Sequence, residues 1–192
     1  MKRLLPVLLI VSSILTACAT EPVVPVVIHT GAGTIDVAID TVAAPITSAN
    51  FLRYIREGLY DGGEFFRVVR MDNQPNDSIR IEVIQGGANL ELNEQFHDPI
   101  PLERTSDTGL LHEDGTISMA RGRPNSATHS FFFTIGDQPS LDFGGMRNPD
   151  GQGFAAFGKV TRGMDVVRAI QSGDVEAQLL MEPVSIDSIR IK

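Results

Sequence analysis

The chain has no tryptophan, only two tyrosines, four histidines and one cysteine, and these shortages close off several chemistries. His29, His97, His112 and His129 form no i, i+4 pair and have no cysteine partners, so they do not outline a zinc site and read as surface or loop residues. No Gly-x-Ser-x-Gly elbow is present, and no serine has a neighbourhood that nominates a nucleophile. The run Gly153 to Lys159 has the spacing of a phosphate loop. Val160 stands where the magnesium-binding hydroxyl belongs, however, and the apolar, strand-like residues between the glycines do not suit a phosphate cradle, so the match is coincidental. There is no internal repeat, no low-complexity tract and no sign of a second domain.

Long apolar runs are also missing, except at the N-terminus. Lys2 and Arg3 precede an apolar stretch from Leu4 to Leu15, which is too short to span a bilayer as a stable helix and reads as a secretory signal. Leu15-Thr16-Ala17-Cys18 resembles the bacterial lipobox, in which the cysteine becomes the acylated first residue of the mature chain. Acylation there uses the only thiol, leaving none for a disulfide or for cysteine catalysis. The reading is therefore a signal peptide over 1–17, an acylated terminus and extended tether over 18–25, and one globular domain over 26–192 facing the periplasm, held to a membrane by Cys18. Removing 1–17 leaves 175 residues, enough for one domain with a real core. Without Lys2 and Arg3, 14 basic residues face 24 acidic ones, a net charge of −10 that argues against nucleic acid and against an anionic lipid surface as partners.

The patterned segments are short. Val26 to Thr30 and Thr34 to Ile39 are β-rich runs joined by Gly31-Ala32-Gly33, which predicts a hairpin. Ile46, Ala49, Leu52 and Ile55 recur at helical spacing between Pro45, which suits a first turn, and Gly58, which suits a stop. Further strands are expected at Glu64 to Arg70, Ile79 to Gln85, Thr116 to Arg121, Phe131 to Ile135, Phe154 to Val160 and Val184 to Ile191, with a second short helix over Gly163 to Gln171. Many short strands and only two helices favour a mainly β fold, a closed antiparallel barrel.

Against this background an arginine and several phenylalanines stand out. Alternation in Ser130 to Ile135 puts Phe131, Phe133 and Ile135 on one face and Phe132 on the more polar one, where an apolar pocket open to solvent would explain it. By the same parity Arg67 shares a face with Phe65 and Val69, so its charge lies near apolar surface. On pattern alone the plainer reading, Arg67 as an edge charge and Phe132 as part of a second core layer, is favoured.

These residues, taken in order, resemble the cyclophilin family of peptidyl-prolyl cis-trans isomerases, from Val26 to Ile191. Phe65-Phe66-Arg67 resembles the family's Phe-His-Arg, which implies that Arg67 is the catalytic arginine. Gln85-Gly86-Gly87 resembles Gln-Gly-Gly, with Gln85 as a pocket residue. Ser118-Met119-Ala120-Arg121 and Pro124-Asn125-Ser126 resemble the elements along which substrate backbone pairs, and Ser130-Phe131-Phe132 resembles Gln-Phe-Phe, with Phe132 as the floor of a proline pocket. Leu141-Asp142, Phe157-Gly158-Lys159-Val160 and Gly163 to Val167 match later family steps. The resemblance implies an eight-stranded antiparallel barrel with two capping helices, and a substrate site that includes Phe65, Gln85, Ala120, Arg121, Ser130, Phe132, Leu141 and Phe154. It implies no metal and no cofactor, and as partners proline-containing unfolded or extended protein segments.

Several positions depart from the family. Ser130 replaces a glutamine, Ser140 a tryptophan and Phe154 a histidine, while Glu82 and Val83 stand at a wall where Phe and Met are usual. Met71 to Ser78 reads as an inserted loop, and Asp142 to Gly153 as a second insertion near the pocket rim. The changed walls keep a second function open: a proline-segment binding or chaperone-like lipoprotein with little turnover.

Overall fold

A computed structural model describes residues 22–192. The acylation position Cys18 and the signal segment lie outside them. Among the described residues there are nine strands: β1 Val23–Thr30, β2 Gly33–Asp40, β3 Gly63–Val69, β4 Val83–Gly87, β5 Thr116–Met119, β6 Phe131–Thr134, β7 Ala155–Arg162, β8 Val175–Glu176 and β9 Leu179–Ile191. Their order is β1-β2-β7-β5-β6-β4-β3-β9, every pairing is antiparallel, and β1 pairs β9 to close the ring. The expected eight-stranded barrel is therefore the observed one, and the two-residue β8 is only an arm paired to β9. Closure leaves no bare edge on the ring, which suits short strands that would otherwise invite pairing with another chain.

The β1–β2 hairpin shows how the pattern becomes structure. Val26 and Ile28 are fully buried and His29 is exposed, the period-2 alternation of a half-buried strand. The turn is tightened by Thr30, whose hydroxyl donates to the Gly33 carbonyl at 2.8 Å and accepts from Ala32 N–H at 3.1 Å. Strand β1 begins at Val23, so Val23 to Pro25, assigned above to the tether, already belong to the barrel wall. Strand β9 likewise starts five residues before Val184.

Two helices pack their apolar faces on the barrel: α1, Pro45–Arg56, and, after the four-residue α2, Thr105–Thr108, the helix α3, Met164–Gln171. Helix α1 has Ala44 at its N-cap and no local side-chain cap; instead the Glu103 carboxylate accepts from the N–H groups of Ile46 and Thr47, at 3.0 and 2.7 Å. Orphan N–H groups and the positive end of the helix dipole both favour a carboxylate at that place. From α1, Phe51 enters the core against Tyr60, Phe131 and Phe157, with ring centroids 5.2 to 5.4 Å apart. Burying such a ring contributes about 2 to 3 kcal/mol. Helix α3 adds Val167 and Ile170.

A second, smaller apolar cluster consists of Val69, Ile81, Val83, Phe132 and Leu141, with Ala120 and Phe154 packed against it. The expected strand from Ile79 begins only at Val83, because Ile81 is held by a side chain. Buried Gln74 accepts from Ile81 N–H at 3.2 Å and donates to the carbonyls of Ile81 and Arg70, at 2.8 and 2.6 Å. The Met71 to Ser78 loop is thus knitted onto this cluster.

Candidate active site

The placement of Arg67 turns on one extra residue. Phe65 pairs with Gly86 and Arg67 pairs with Gln85, so Phe66 has no partner on β4 and forms a β-bulge. The bulge resets the alternation. Phe65 points into the barrel, fully buried, with its ring 5.8 Å from Phe131 and 6.2 Å from Phe133. Arg67 and Val69 point out towards the second cluster. The expectation that Arg67 and Phe65 share a face is corrected, and with it Phe65 leaves the groove lining. The glycines of Gln85-Gly86-Gly87 have a matching reason. A Cβ at Gly86 would lie 2.9 Å from the Phe65 ring and 3.0 Å from the Glu64 carbonyl, and one at Gly87 2.9 Å from His129 Nδ1.

Outside the barrel wall, Arg67 is half-buried and held by two amides. Its Nη1 donates to Gln85 Oε1 at 2.9 Å, and its Nε and Nη2 donate to Gln178 Oε1 at 3.1 and 2.5 Å. Neither partner carries charge, so the guanidinium is fixed without being neutralised by them. Burial, helped by the charge of Arg147, lowers its pKa below the ordinary arginine value, while Asp77 opposes the shift. An arginine so perturbed remains cationic at physiological pH.

Arg67 borders a cavity of about 360 Å³. Its apolar walls are Ile81, Val83, Ala120, Phe132, Leu141 and Phe154, and its polar ones include Gln85, Arg121 and Arg147. Phe132, 5% exposed, is the floor, and Phe154 meets it edge to face with centroids 5.6 Å apart. An apolar recess beside a preorganised, permanently charged donor can hold a small apolar ring and stabilise electron density that develops next to it.

Behind the floor lies a polar group that sequence reasoning passed over. His112, read above as a surface or loop residue, does lie in a loop but is 1% exposed, and it stacks behind Phe132 at 5.9 Å. Its Nδ1 meets Asp142 Oδ1 at 2.7 Å and its Nε2 meets Ser118 Oγ at 2.9 Å. These partners make its burial affordable, since a buried polar group is costly only when unpaired. The trio has the residue types of a hydrolytic triad, but Ser118 is wholly enclosed and offers no nucleophile to a substrate. It works as a brace, tying the loop after Leu141 to β5 beneath the pocket floor.

Arg121 has a similarly settled place. Its side chain is 1% exposed, bidentate to Asp150 at 2.7 and 2.9 Å, bonded to the Gly153 carbonyl, and 5.0 Å above the Phe154 ring. The Arg121 hydrogen bond holds the Asp150 carboxyl down to about 2 from the ordinary 3.8. A depressed folded-state pKa stabilises the fold above the unfolded value, and that contribution disappears as pH falls through the folded one. The stability difference between wild type and Asp150→Asn is thus expected to be full above pH 4 and to shrink towards pH 2. Urea midpoints for both proteins across that range check it, and parallel curves would refute it.

Most of the anticipated residues converge on this cavity: Arg67, Gln85, Ala120, Arg121, Phe132, Leu141 and Phe154. Besides Phe65, Ser130 does not. It lines a separate cavity of about 840 Å³ with Phe66, Leu90 and Leu179, because it lies beyond the end of β6 against Gly87. Glu82 also turns away, accepting from Gln171 Nε2 at 3.3 Å, and Ile81 and Val83 form the wall expected of Glu82 and Val83. Ser140 is not among the lining residues. Gln178 and Arg147 were not anticipated. Nothing local marks Gln178, whereas Arg147 lies in the Gly- and Asn-rich insertion expected at the rim.

The family model described as cyclophilin type peptidyl-prolyl cis-trans isomerase/CLD matches residues 25–191. The peptidyl-prolyl cis-trans isomerase cyp18 of Streptomyces antibioticus is 36% identical over 170 residues, covering 85% of this chain and 96% of that protein. Peptidyl-prolyl cis-trans isomerase A of Dickeya dadantii is 34% identical over 172 residues, covering 86% and 83%. In solved structures, a cyclophilin type isomerase of Cryptosporidium parvum, crystallised in the presence of the dipeptide Ala-Pro, shares the fold with a TM-score of 0.70 at 20% identity, covering 88% of this chain and 98% of that one.

Proposed function

Since the chain belongs to the cyclophilin type peptidyl-prolyl cis-trans isomerase family, we propose that the Arg67 groove rotates Xaa-Pro bonds in unfolded or extended protein segments, and that it does so as a lipoprotein of the bacterial envelope. The observation that carries the catalytic reading is the pairing of Arg67, held by Gln85 and Gln178, with an apolar recess floored by Phe132.

Rotation about a peptide bond must break amide resonance, at a cost of about 18 to 20 kcal/mol. For Xaa-Pro in water that means tens to hundreds of seconds per event. No σ bond is made or broken, so the task is electrostatic and geometric. The recess of Phe132, Leu141 and Phe154 grips the pyrrolidine ring, and Ala120 and Arg121 flank the backbone beside it. As the bond twists, the prolyl nitrogen regains its lone pair, and the Arg67 guanidinium donates to it. That contact is stronger in the twisted state than in either planar isomer, the condition for catalysis. Lowering the barrier by roughly 7 kcal/mol gives about a 10⁵-fold acceleration.

Magnetisation-exchange NMR on a short proline peptide tests the activity: substoichiometric protein is expected to produce cis-trans exchange, and its absence would remove the catalytic reading. The alternative of binding without turnover drew on Ser130, Ser140 and Glu82, all of which stand outside the Arg67 cavity.

Anchoring at Cys18 is supported by the lipobox Leu15-Thr16-Ala17-Cys18. Cells grown with a labelled fatty acid are expected to label the wild-type chain and not Cys18→Ser. Label on the variant, or none on the wild type, would refute the anchor.

A further inference from the structure

The two insertions meet over the groove through a single side chain. Arg147, from the loop between Asp142 and Gly153, donates from Nη1 to the Ile79 carbonyl at 2.7 Å and pairs with Asp77 Oδ2 at 3.0 Å. Its own N–H is bonded to the Ser140 carbonyl at 3.1 Å. Fastened at both ends and only 13% exposed, this side chain lines the same cavity as Arg67.

The charges around the cavity do not cancel. Arg121 is neutralised by Asp150, and Asp77 answers for one of the remaining two guanidiniums, from a position where its side chain is 45% exposed to water. Glu82, between the lining residues Ile81 and Val83, faces Gln171 instead of the cavity. Arg67 and Arg147 are close enough for the charge of Arg147 to oppose that of Arg67. The groove therefore keeps a net cation in a chain whose overall formal charge is −8. In a cleft with low-dielectric walls such an imbalance is felt more strongly than at an open surface.

We propose that Arg147 makes this groove selective for proline segments with an acidic residue next to the proline, the carboxylate answering the charge that Arg67 and Arg147 share. The proposal rests on the isomerase reading above and goes beyond it by naming the substrate class. A carboxylate there relieves the repulsion between the two guanidiniums, whereas a Lys or Arg at the same place adds a third cation.

The test is a set of short peptides differing only beside the proline, with Glu, Ala or Lys placed before it or after it. Exchange efficiency is measured by NMR at low and high salt for wild type, Arg147→Gln and Asp77→Asn, with the Ala peptide as each protein's own reference. At low salt the wild type is expected to favour Glu over Lys, at one of the two positions, by about 5- to 30-fold. Salt near 0.5 M is expected to erode the ratio, since screening shortens the reach of exposed charge to a few ångströms. Arg147→Gln is expected to bring the ratio below about 3-fold, and Asp77→Asn to raise it, because it removes the compensating carboxylate. A merely structural strap gives the opposite: Asp77→Asn would loosen both loops and slow all peptides alike. Equal efficiency for Glu and Lys in the wild type overturns the acidic preference while leaving the isomerase intact. No exchange with any peptide overturns the isomerase reading itself.

Discussion

Replacing Arg67 with alanine is expected to lower catalysed cis-trans exchange by about 10²- to 10³-fold, the usual cost of removing one preorganised donor aimed at developing charge. Affinity for the peptide should change much less, because the ring-binding walls Phe132, Leu141 and Phe154 do not depend on the guanidinium. The fold should survive, since the bulge at Phe66 directs Arg67 out of the barrel and its partners are the side chains of Gln85 and Gln178. Arg67→Lys sharpens the test. It keeps the charge but, as a compact ammonium, cannot reproduce the planar fork that meets both glutamines, so it should recover only part of the rate. Wild-type exchange in Arg67→Ala, with peptide still bound, would remove Arg67 from the mechanism.

Phe132→Ala is expected to weaken both binding and stability. The ring is 5% exposed, meets Phe154 edge to face, and covers the stacked His112. Truncating a buried phenylalanine costs about 3 to 5 kcal/mol. The lower end is expected here, because Phe132 belongs to the small outer cluster and the open cavity already wets one side of it. The loss of the floor should also reduce peptide affinity at least about tenfold, and it brings water to the His112, Ser118 and Asp142 brace. Phe132→Leu, which keeps much of the apolar volume, should restore stability more than affinity. Urea unfolding and peptide titration on the same variants separate the two effects. Unchanged affinity in Phe132→Ala would show that Phe132 is a packing residue and not the floor of the site.

Both predictions depend on features that differ in how far the sequence discloses them. The barrel is legible because hydrophobic alternation is a local signal: Val26, Ile28, Ile35, Val37 and Ile39 declare two half-buried strands, and Gly31-Ala32 declares the turn between them. Phe132 is legible as an aromatic on the wrong face of its strand. Phe65 and Arg67 show the limit of that approach. Straight alternation gives them one face, but a single unpaired residue reverses the relation, and a bulge is created by pairing with β4, not by β3 alone.

The remaining corrections have the same origin. Ser130 and Glu82 sit close to the right residues in sequence and face elsewhere, because each lies just outside its strand, β6 beginning at Phe131 and β4 at Val83, where alternation no longer sets the direction of a side chain. His112 has no local mark that it is buried; its partners Ser118 and Asp142 lie 6 and 30 residues away. Gln178 reaches Arg67 across 111 residues, and Arg147 reaches Ile79 across 68. Periodicity and turn chemistry indicate a mainly β barrel, and the motifs that resemble the cyclophilin family, taken in order, nominate Arg67 and Phe132. Ring closure, the bulge and the two insertions decided which side chains surround that arginine and what charge they leave it, because contacts between distant segments exist only once the chain has folded back on itself.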